Sequence, residues 1–427
     1  MSVCVVGLGY IGLPTAAMLA LGGVEVVGYD VDPRVLASLR DGAAHVKESP
    51  VRALAVDALA SGRLTLVDEL PAGSDAYIIC VPTPTLERQP DLSHVEAAAR
   101  DVARRLVPGA LLVLESTVPP GTTERVLVGA LRAAGVDPEQ VAIVHCPERV
   151  IPGDIVRELR ENARVVGGRM PGDAERAAAL YATFCKGRIS TTDLVTAELS
   201  KVMENTYRDV NIALANEFAL LCEELGVDVY EAIALANQHP RVDILHPGPG
   251  VGGHCIPIDP QFLVSAHPLV TELIQASRRV NERMPHIILR RIVELVPPDS
   301  GACVALLGAA YKANVDDTRE SPTEYLEALL LERGYVTRVY DPLAERYVRP
   351  LTATLEQAVQ GSDAIVLLAG HDAFAGIDPY ALAPLCRRRN LVDTRAFFPA
   401  QRWTEAGFTV YTLGRGWVSP QPLTSSA

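Results

Sequence analysis

The first twelve residues carry a glycine pattern that restricts what the start of this chain can fold into. Gly7, Gly9 and Gly12 directly follow the apolar run VCVV, with Tyr10 and Ile11 between the last two glycines. In a strand-turn-helix unit, glycines at this spacing allow a tight turn, a close approach of the backbone to a pyrophosphate, and close packing of helix on strand. The pattern therefore predicts a dinucleotide-binding turn, while a glycine turn without a cofactor is the less favoured alternative.

An acidic residue stands at the distance that such a turn requires. Asp30 lies 18 residues after Gly12, at the end of the next predicted strand, VEVVGYD. A carboxylate at this point can accept hydrogen bonds from both ribose hydroxyls and repels a 2′-phosphate. The spacing favours NAD over NADP as the cofactor, although the nearby Arg34 keeps NADP open.

Short apolar runs alternate with amphipathic stretches along the first half of the chain, and a second series of the same kind starts with CVALLGAAY near residue 303. Runs rich in Val, Ile and Leu between turn residues are typical of parallel strands buried on both faces. Residues 191–225 contain neither glycine nor proline and predict one long helix, capped by Thr192 or Asp193 and ended by Gly226. We therefore predict an α/β protein with two doubly wound Rossmann-like domains joined by a long central helix.

Charge and cysteine usage argue against several classes of function. The chain has 52 Asp and Glu against 39 Lys and Arg, a formal net charge of −13. This surplus disfavours nucleic acids and membrane surfaces as partners, since both are anionic. The eight cysteines form no CxxC pair or His/Cys cluster, so neither a disulfide framework nor a metal site is expected. The start lacks a basic region and a cleavage site, and no apolar run reaches about 18 residues, which indicates a cytoplasmic protein.

A second candidate site centres on one cysteine. Cys255 stands in the stretch GVGGHCIPIDP, where three glycines let the backbone fold tightly around a thiol between His254 and Asp259. The stretch ends a loop rich in Pro, Gly and His, residues 236–260, and a loop of this length is more often functional than not. The other seven cysteines fit the ordinary role of buried small hydrophobic residues.

Three polar residues on the predicted long helix add to this candidate site. Lys201 and Asn205 are four residues apart and share one helix face, with Arg208 one turn further along. A solvated helix face is the usual place for such residues. Apolar neighbours on several sides favour a chemical role instead, as does the scarcity of lysine, since Lys201 is one of only four in the chain.

Five motifs, taken in order, carry a resemblance to a known family. They are GLGYIGLP (7–14), ESTVPPGTT (115–123), AELSKVMENTYRDVNIALANE (197–217), GVGGHCIPIDP (250–260) and GAAYKANVDDTRESP (308–322). They lie between residues 7 and 322, and the chain resembles, over nearly its full length, the nucleotide-sugar 6-dehydrogenases of the UDP-glucose/GDP-mannose dehydrogenase family. Two further segments, PERVIPG (147–153) and NQHPRVDILHPGPGVGGHC (237–255), resemble the branch of that family that acts on 2-acetamido sugars.

The resemblance implies an NAD-dependent, four-electron oxidation of the C6 hydroxyl of a UDP-2-acetamido-2-deoxy-hexose to the uronic acid, with UDP-N-acetyl-D-mannosamine as the favoured substrate. UDP-N-acetylglucosamine stays open. UDP-glucose and GDP-mannose are less favoured, since enzymes on UDP-glucose usually carry a second carboxylate where this chain has Pro152 and a Lys where it has Ile258. Outside the family, the alternative is a two-electron dehydrogenase of the hydroxyacid type.

The resemblance also implies roles for individual residues. Cys255 adds to the intermediate aldehyde as a thiohemiacetal that is oxidised to a thioester, Lys201 stabilises the oxyanions, and Glu148 activates the hydrolytic water. His254 is a weaker candidate, as an assisting base. The residues implied in catalysis are Cys255, Lys201, Asn205, Asp259, Glu148 and Thr117.

Binding residues and domain roles are implied by the same resemblance. Implied cofactor contacts are Gly7, Gly9, Tyr10, Ile11, Gly12, Asp30, Arg34, Thr83, Thr117 and Arg319. Implied substrate contacts are Glu148, Arg149, Val150, Lys201, Asn205, Arg208, Arg241, His246, Gly252 and Lys312. We expect an NAD-binding Rossmann domain over residues 1–190, a central helical dimerisation and catalytic segment over 191–298, a UDP-sugar-binding Rossmann-like domain over 299–427, and a homodimer.

Overall fold

The computed structural model describes residues 1–42, 46, 48–86, 89–150, 153–298 and 301–419. The chain divides into two compact units. Unit 1 comprises Met1–Glu204 and Gln261–Pro268, and unit 2 comprises Asn205–Pro260 and the chain from Leu269 onward. Each unit is built around its own largely parallel sheet.

Unit 1 contains a sheet of eight described strands and a small hairpin. The strands are β1 (Ser2–Val6), β2 (Glu25–Tyr29), β3 (Leu64–Val67), β4 (Ala76–Ile79), β5 (Thr85–Leu86), β6 (Gln89–Pro90), β7 (Leu111–Leu114), β8 (Ala142–His145), β9 (Arg164–Gly168) and β10 (Ile189–Asp193). The sheet order is β10-β9-β8-β7-β4-β1-β2-β3, and β5 pairs with β6 to form the hairpin. Because the chain turns from one side of β1 to the other, a crevice opens at the carboxyl ends of β1 and β4, where ligands bind in sheets of this type.

Helices cover both faces of this sheet. They are α1 (Gly12–Leu21), α2 (Pro33–Arg40), α3 (Ser49–Ala60), α4 (Ser93–Ala103), α5 (Gly129–Ala133), α6 (Ile155–Glu161) and α7 (Asp173–Tyr181). Val3 and Val5 pack into one apolar cluster, whereas Cys4 and Val6 pack into another. Alternate residues of β1 are thus buried on opposite faces, as the apolar runs predict.

The edge of the sheet near β9 departs from the parallel pattern. β8 pairs with β9 in antiparallel orientation, and β9 then pairs with β10 in parallel. Neither strand was expected from the sequence, because neither is an apolar run. β9 reads RVVGG and contains only two apolar β-branched residues, and β10 reads ISTTD and is mostly polar. Their backbone pairing, rather than an apolar pattern, defines them.

The long central helix is α8 (Leu194–Leu225). Its start is fixed by Asp193, whose carboxylate accepts the backbone N–H of Thr196 at 2.9 Å and its hydroxyl at 2.6 Å. Both predicted caps, Thr192 and Asp193, lie in β10, and the helix begins directly after Asp193, at Leu194 rather than at position 191. Gly226 follows the helix with a φ of +70°, a conformation in which glycine is the usual terminator.

Unit 2 repeats the α/β design with six described strands. These are β11 (Cys303–Leu307), β12 (Val336–Tyr340), β13 (Ala364–Leu367), β14 (Asn390–Asp393), β15 (Thr409–Thr412) and β16 (Gly416–Val418), in the order β12-β11-β13-β14-β15-β16. The chain's remaining described α-helices are α9 (Val229–Ala236), α10 (Asp259–Ala266), α11 (Glu272–Leu295), α12 (Pro322–Glu332), α13 (Leu355–Val359), α14 (Pro379–Leu382) and α15 (Ala400–Glu405). Only the last pair of this sheet, β15 with β16, is antiparallel among the strands described.

The predicted fold class is confirmed: two Rossmann-like α/β domains and a long central helix. The predicted loop is also present, since residues 237–258 form neither helix nor strand between α9 and α10. No helix within the described ranges combines the length and apolar character needed to cross a membrane.

Candidate active site

The glycine turn of unit 1 has the shape of a phosphate cradle. Gly7 has a φ of +92°, and its N–H donates to the carbonyl of Tyr29 at 2.8 Å. A Cβ on Gly12 would lie 1.8 Å from the Gly7 carbonyl oxygen, whereas a Cβ on Gly9 would meet no atom within 4 Å. Gly12 is therefore needed for packing, whereas a side chain at Gly9 would meet open space. Tyr10 and Ile11 connect Gly9 to the first residue of α1. These features fit a dinucleotide pyrophosphate.

Asp30 lies at the end of β2, beside this turn. Its two carboxylate oxygens accept backbone N–H groups from Leu8 at 2.8 Å and from Asp32 at 2.9 Å. The carboxylate is half-buried and fixed in orientation, as a group that binds ribose hydroxyls must be. Arg34 does not contact Asp30, because its guanidinium pairs with Asp32 at 2.7 Å.

Two other predicted cofactor contacts lie together at the same edge of the sheet. Thr83 follows β4 and donates its hydroxyl proton to the carbonyl of Thr117, which follows β7, at 2.7 Å. The segment that follows Thr117 is hydrogen-bonded to α8. Buried Glu198 on that helix accepts the N–H of Thr123 at 2.7 Å and also that of Gly121. The motif ESTVPPGTT is thereby fixed by a helix residue that sequence reasoning did not single out.

Glu148 and Lys201 share an electrostatic environment in unit 1. Burial raises the pKa of the Glu148 carboxyl, while the positive charges of Lys201 and Arg164 oppose that rise. Lys201 is buried on α8, and Glu148 accepts the N–H of Val150. A carboxyl with a raised pKa beside an ammonium group is suited to exchanging protons with water.

The neighbours of Glu148 in its motif are held by other contacts. Arg149 pairs with Glu204 at 2.5 Å and donates to the carbonyl of Ala163 at 2.8 Å. Val150 packs against the apolar core of unit 1. Pro152, which distinguishes this motif in the sequence, lies outside the described residues.

A buried polar network beneath the glycine turn was not foreseen. Glu115, at the end of β7, accepts hydrogen bonds from the Tyr181 hydroxyl at 2.7 Å, the Cys80 thiol at 3.0 Å and the Thr15 hydroxyl at 3.3 Å. Arg164 lies 3.6 Å from the same carboxylate. Because Thr15 belongs to α1 and Arg164 acts on Glu148, this network connects the glycine turn to the predicted hydrolytic carboxylate.

In unit 2, the Cys255 turn is joined to the α8 residue Asn205. The Asn205 side-chain amide donates to the carboxylate of Asp259, and both side chains are buried. The N–H of Asp259 donates to the Cys255 carbonyl at 2.9 Å, which closes the turn on which the half-buried thiol stands. Arg208 donates to the side-chain oxygen of Asn205. Four predicted site residues are thus brought together.

The glycines before Cys255 press the turn against the segment after β11. A Cβ on Gly252 would lie 2.4 Å from the carbonyl oxygen of Glu320, and one on Gly253 would lie 2.9 Å from the Tyr311 ring. The N–H of Gly253 donates to the carbonyl of Arg319 at 3.2 Å. This contact places the exposed Arg319 side chain beside the Cys255 turn within unit 2.

The remaining predicted substrate contacts lie on exposed parts of unit 2. Arg241 and Lys312 are exposed, and exposed His246 meets the Tyr230 ring edge-on, with ring centroids 5.7 Å apart. A cation that was not predicted is half-buried near the same loop: a Cβ on Gly248 would lie 2.4 Å from Nη1 of Arg395. Arg395 follows β14, so it stands at the carboxyl end of the sheet, where ligands bind in this fold.

The loop that contains His246 is held by asparagine amides, which sequence reasoning also missed. Asn211 accepts the N–H of Leu245 at 3.0 Å, and Asn216 accepts that of Gly248 at 2.8 Å. Both asparagines lie on α8, and Asn237 binds a backbone N–H and a carbonyl of the same loop. The spacing of Asn211 and Asn216 on the helix carries no signal, because the loop groups that they bind are backbone groups more than 30 residues away.

Comparison with known proteins identifies the family. The UDP-glucose/GDP-mannose dehydrogenase family matches through its NAD-binding domain at residues 1–185, its central domain at 195–283 and its UDP-binding domain at 305–400. The chain belongs to this family. NAD as the cofactor and an oxidoreductase activity, both predicted from the sequence, are thereby confirmed, and a UDP-sugar fits a family with a UDP-binding domain.

Individual members of the family are similar over the whole chain. A UDP-N-acetyl-D-mannosamine dehydrogenase from Methanocaldococcus jannaschii is 44% identical over 421 residues, which cover 97% of this chain and 96% of that protein. An NDP-N-acetyl-D-galactosaminuronic acid dehydrogenase from Ralstonia nicotianae is 42% identical, covering 94% and 97%. The solved UDP-D-ManNAc dehydrogenase from Pyrococcus horikoshii has a TM-score of 0.92 at 42% identity, covering 97% of this chain and 100% of that one.

Proposed function

We propose that this chain oxidises the C6 hydroxyl of UDP-N-acetyl-D-mannosamine to the carboxylate, with two NAD consumed for each sugar. The support is the similarity to proteins named for this substrate at up to 44% identity over nearly the full length. The single observation that carries the chemistry is the joining of the Cys255 turn to α8 through Asp259 and Asn205.

The reaction needs a nucleophile because an aldehyde gives up a hydride only after an adduct forms at its carbonyl. NAD held at the Gly7–Gly12 turn and Asp30 would supply the hydride acceptor for both oxidations. Cys255 adds to the aldehyde carbon as a thiohemiacetal, and loss of the second hydride leaves a thioester. Lys201 and Asn205 stabilise the oxyanions, and Asp259 keeps Asn205 in place. Glu148, with its raised pKa, activates the water that releases the acid, and Thr117 helps to fix that water.

Substrate and cofactor contacts belong to the same proposal. Cofactor contacts are Gly7, Gly9, Tyr10, Ile11, Gly12, Asp30, Arg34, Thr83, Thr117 and Arg319. Substrate contacts are Glu148, Arg149, Val150, Lys201, Asn205, Arg208, Arg241, His246, Gly252 and Lys312, to which we add Arg395 because it lies at the carboxyl end of the second sheet. Local cations are needed because the formal net charge of −13 repels a diphosphate.

We also propose that the chain forms a homodimer through α8. Tyr207, Leu214, Leu221 and Leu225 are exposed at spacings of seven, seven and four residues, which places them along one helix face. A second copy of the same helix would bury this apolar stripe. Leu214→Glu combined with Leu221→Glu should convert a dimer into a monomer in analytical ultracentrifugation. A monomeric wild-type protein would contradict the proposal.

The three-part domain division and a cytoplasmic location stay predictions.

The substrate is tested with a panel of nucleotide sugars. Initial rates of NADH formation by the full chain are measured on UDP-N-acetylmannosamine, UDP-N-acetylglucosamine, UDP-N-acetylgalactosamine, UDP-glucose and GDP-mannose, and each product is identified by mass spectrometry. The galacto sugar is included because a relative named for an N-acetylgalactosaminuronic acid is 42% identical. We expect kcat/KM to be at least about tenfold higher for UDP-N-acetylmannosamine than for the others. A higher value for another sugar would overturn the substrate assignment.

A further inference from the structure

His254 directly precedes Cys255, and its surroundings in unit 2 set it apart from the other polar residues near the thiol. The imidazole interacts with the Cys255 thiol, and its Nδ1 lies 3.6 Å from Oδ2 of the Asp317 carboxylate. A base that contacts a thiol, and that is itself oriented by a carboxylate, is the arrangement by which enzymes activate a nucleophile.

The backbone makes this arrangement rigid. Gly252 and Gly253 fit closely against Glu320 and Tyr311, with no room for a Cβ on either glycine. Asp317 is fixed in turn, because its carboxylate accepts the N–H of Arg319 at 3.1 Å and the Tyr311 N–H donates to its carbonyl at 3.0 Å. His254 and Asp317 are thus held by two backbone segments that contact each other.

The charges around His254 favour the imidazolium form. Two interactions raise the pKa of His254 to about 9: hydrogen bonding to Asp317, which has the larger effect, and hydrogen bonding to Cys255. Arg319 acts in the opposite direction, since its Nη2 lies 3.0 Å from Nδ1. Asp317 outweighs it because the two oxygens of that carboxylate already neutralise the guanidinium, at 2.9 and 2.7 Å. The Tyr311 ring also lies against the turn.

We propose that His254 is a catalytic residue that takes the proton of the Cys255 thiol, and that Asp317 is a positioning residue that holds His254 for this transfer. The inference rests on the proposed function, in which Cys255 is the nucleophile. The Sγ–H bond breaks as the proton moves to the imidazole. The C–S bond forms as the thiolate adds to the aldehyde carbon, and the carbonyl π pair moves to oxygen. When water later releases the acid, the thiolate leaves beside the imidazolium.

The test measures the thiol itself, without substrate or cofactor. The full-length protein is treated with iodoacetamide from pH 5 to 9, and alkylation at Cys255 is followed by peptide mass spectrometry. An ordinary thiol with a pKa near 8.5 is only about 1% thiolate at pH 6.5. We expect Cys255 to react at pH 6.5 at least about tenfold faster in the wild type than in His254→Gln. Asp317→Asn should give a smaller loss of the same sign, because it removes the carboxylate that favours the imidazolium.

Two controls separate this effect from a loss of structure. His286→Gln changes an exposed histidine on α11 and should leave alkylation of Cys255 unchanged. Within each sample, the half-buried Cys386 should show the same pH profile in every variant. If His254→Gln does not fold, the wild-type profile decides, since a wild-type Cys255 that reacts like an ordinary thiol overturns the proposal.

The remaining outcomes distinguish this inference from the proposed function. Equal alkylation of Cys255 in the wild type and in His254→Gln overturns the role of His254, whatever substrate the enzyme uses. A His254-dependent thiol in a protein that forms only one NADH per sugar supports the role of His254 as proton acceptor and overturns the four-electron chemistry instead.

Discussion

The two Rossmann-like domains begin with turns that share the same backbone hydrogen bond. Gly7 and Gly308 both come directly after the first strand of their sheet, with φ values of +92° and +90°. Each donates its N–H at 2.8 Å to a tyrosine carbonyl, that of Tyr29 in the first turn and Tyr340 in the second. The residue after that tyrosine is an aspartate in both cases, Asp30 and Asp341.

The two turns differ in the contacts of the aspartate and in the segment after the glycine. Asp30 is half-buried, whereas Asp341 is buried and binds His371 at 3.0 Å as well as the N–H groups of Ala309 and Ala310. In the first turn α1 starts at Gly12, but in the second a loop carrying Lys312 and Arg319 precedes α12. The same turn therefore offers a helix N-terminus and a carboxylate in one domain, and cationic side chains in the other.

The largest expected effect comes from the glycine that only the first turn has. Gly12→Ala should lower the unfolding free energy by more than about 4 kcal/mol and abolish NAD binding, because its Cβ would collide with the Gly7 carbonyl. The measurements are thermal unfolding and calorimetric titration with NAD. Gly9→Ala is the matched control, since its Cβ meets no protein atom. It should change the unfolding free energy by less than about 1 kcal/mol and lower the affinity for NAD. Normal NAD affinity in Gly12→Ala would contradict the cradle.

The second effect concerns the buried network under the first turn. Glu115→Ala should cost about 3–5 kcal/mol of unfolding free energy, because Arg164 would stay buried without its carboxylate. Glu139→Ala removes an exposed ion pair with Arg169 and should cost less than about 1 kcal/mol. Equal losses in the two variants, measured by urea unfolding, would show that the network adds nothing.

The two aspartates give opposite results in the same pair of assays. Asp30→Asn should raise the Kd for NAD by about 10- to 100-fold with little change in stability, as it removes the ribose contact. Asp341→Asn should leave NAD binding unchanged and destabilise the fold instead. A wild-type preference for NADP would contradict the role of Asp30.

The stability loss in Asp341→Asn should depend on pH. Burial raises the pKa of Asp341, but the hydrogen bonds from His371 and from two backbone N–H groups outweigh burial and lower it to about 2. A carboxyl with a lowered pKa stabilises the fold above its ordinary pKa, by about 2 kcal/mol here, and this contribution is lost as pH falls from about 4 to 2. Urea unfolding should therefore separate wild type and variant at pH 6 and bring them together near pH 2. A constant difference would contradict the role of ionisation.

The smallest effect on stability is expected at Lys312, in the second turn. Lys312→Met should change the unfolding free energy by less than about 0.5 kcal/mol, because the side chain is exposed. It should raise the Kd for UDP about tenfold, because a positive charge near the diphosphate is lost, and leave the Kd for NAD unchanged. Calorimetric titration with both ligands checks this. Weaker binding of NAD with unchanged binding of UDP would reverse the assignment of the two turns.

The sequence predicts the first turn and not its counterpart, for a physical reason. Three glycines at fixed spacing are visible because α1 packs directly on β1, whereas GAAY has one glycine and no helix directly after it. Most strands and helices can be predicted from apolar periodicity, but β9 and β10 are defined by backbone pairing. Glu115 and Asn216 were missed because their partners are distant in sequence, and local patterns carry no information about such contacts. His254 was given little weight because Asp317, the carboxylate that interacts with it, is also distant in sequence.

The stoichiometry of NADH formation distinguishes a four-electron oxidation through Cys255 from a two-electron oxidation. A limiting amount of UDP-N-acetylmannosamine is converted to completion by the wild-type enzyme with excess NAD, and NADH is measured by absorbance alongside the products. We expect two NADH and one uronic acid per sugar, and no completed second oxidation in Cys255→Ser. One NADH per sugar with free aldehyde, or two NADH from Cys255→Ser at the wild-type rate, would contradict this expectation.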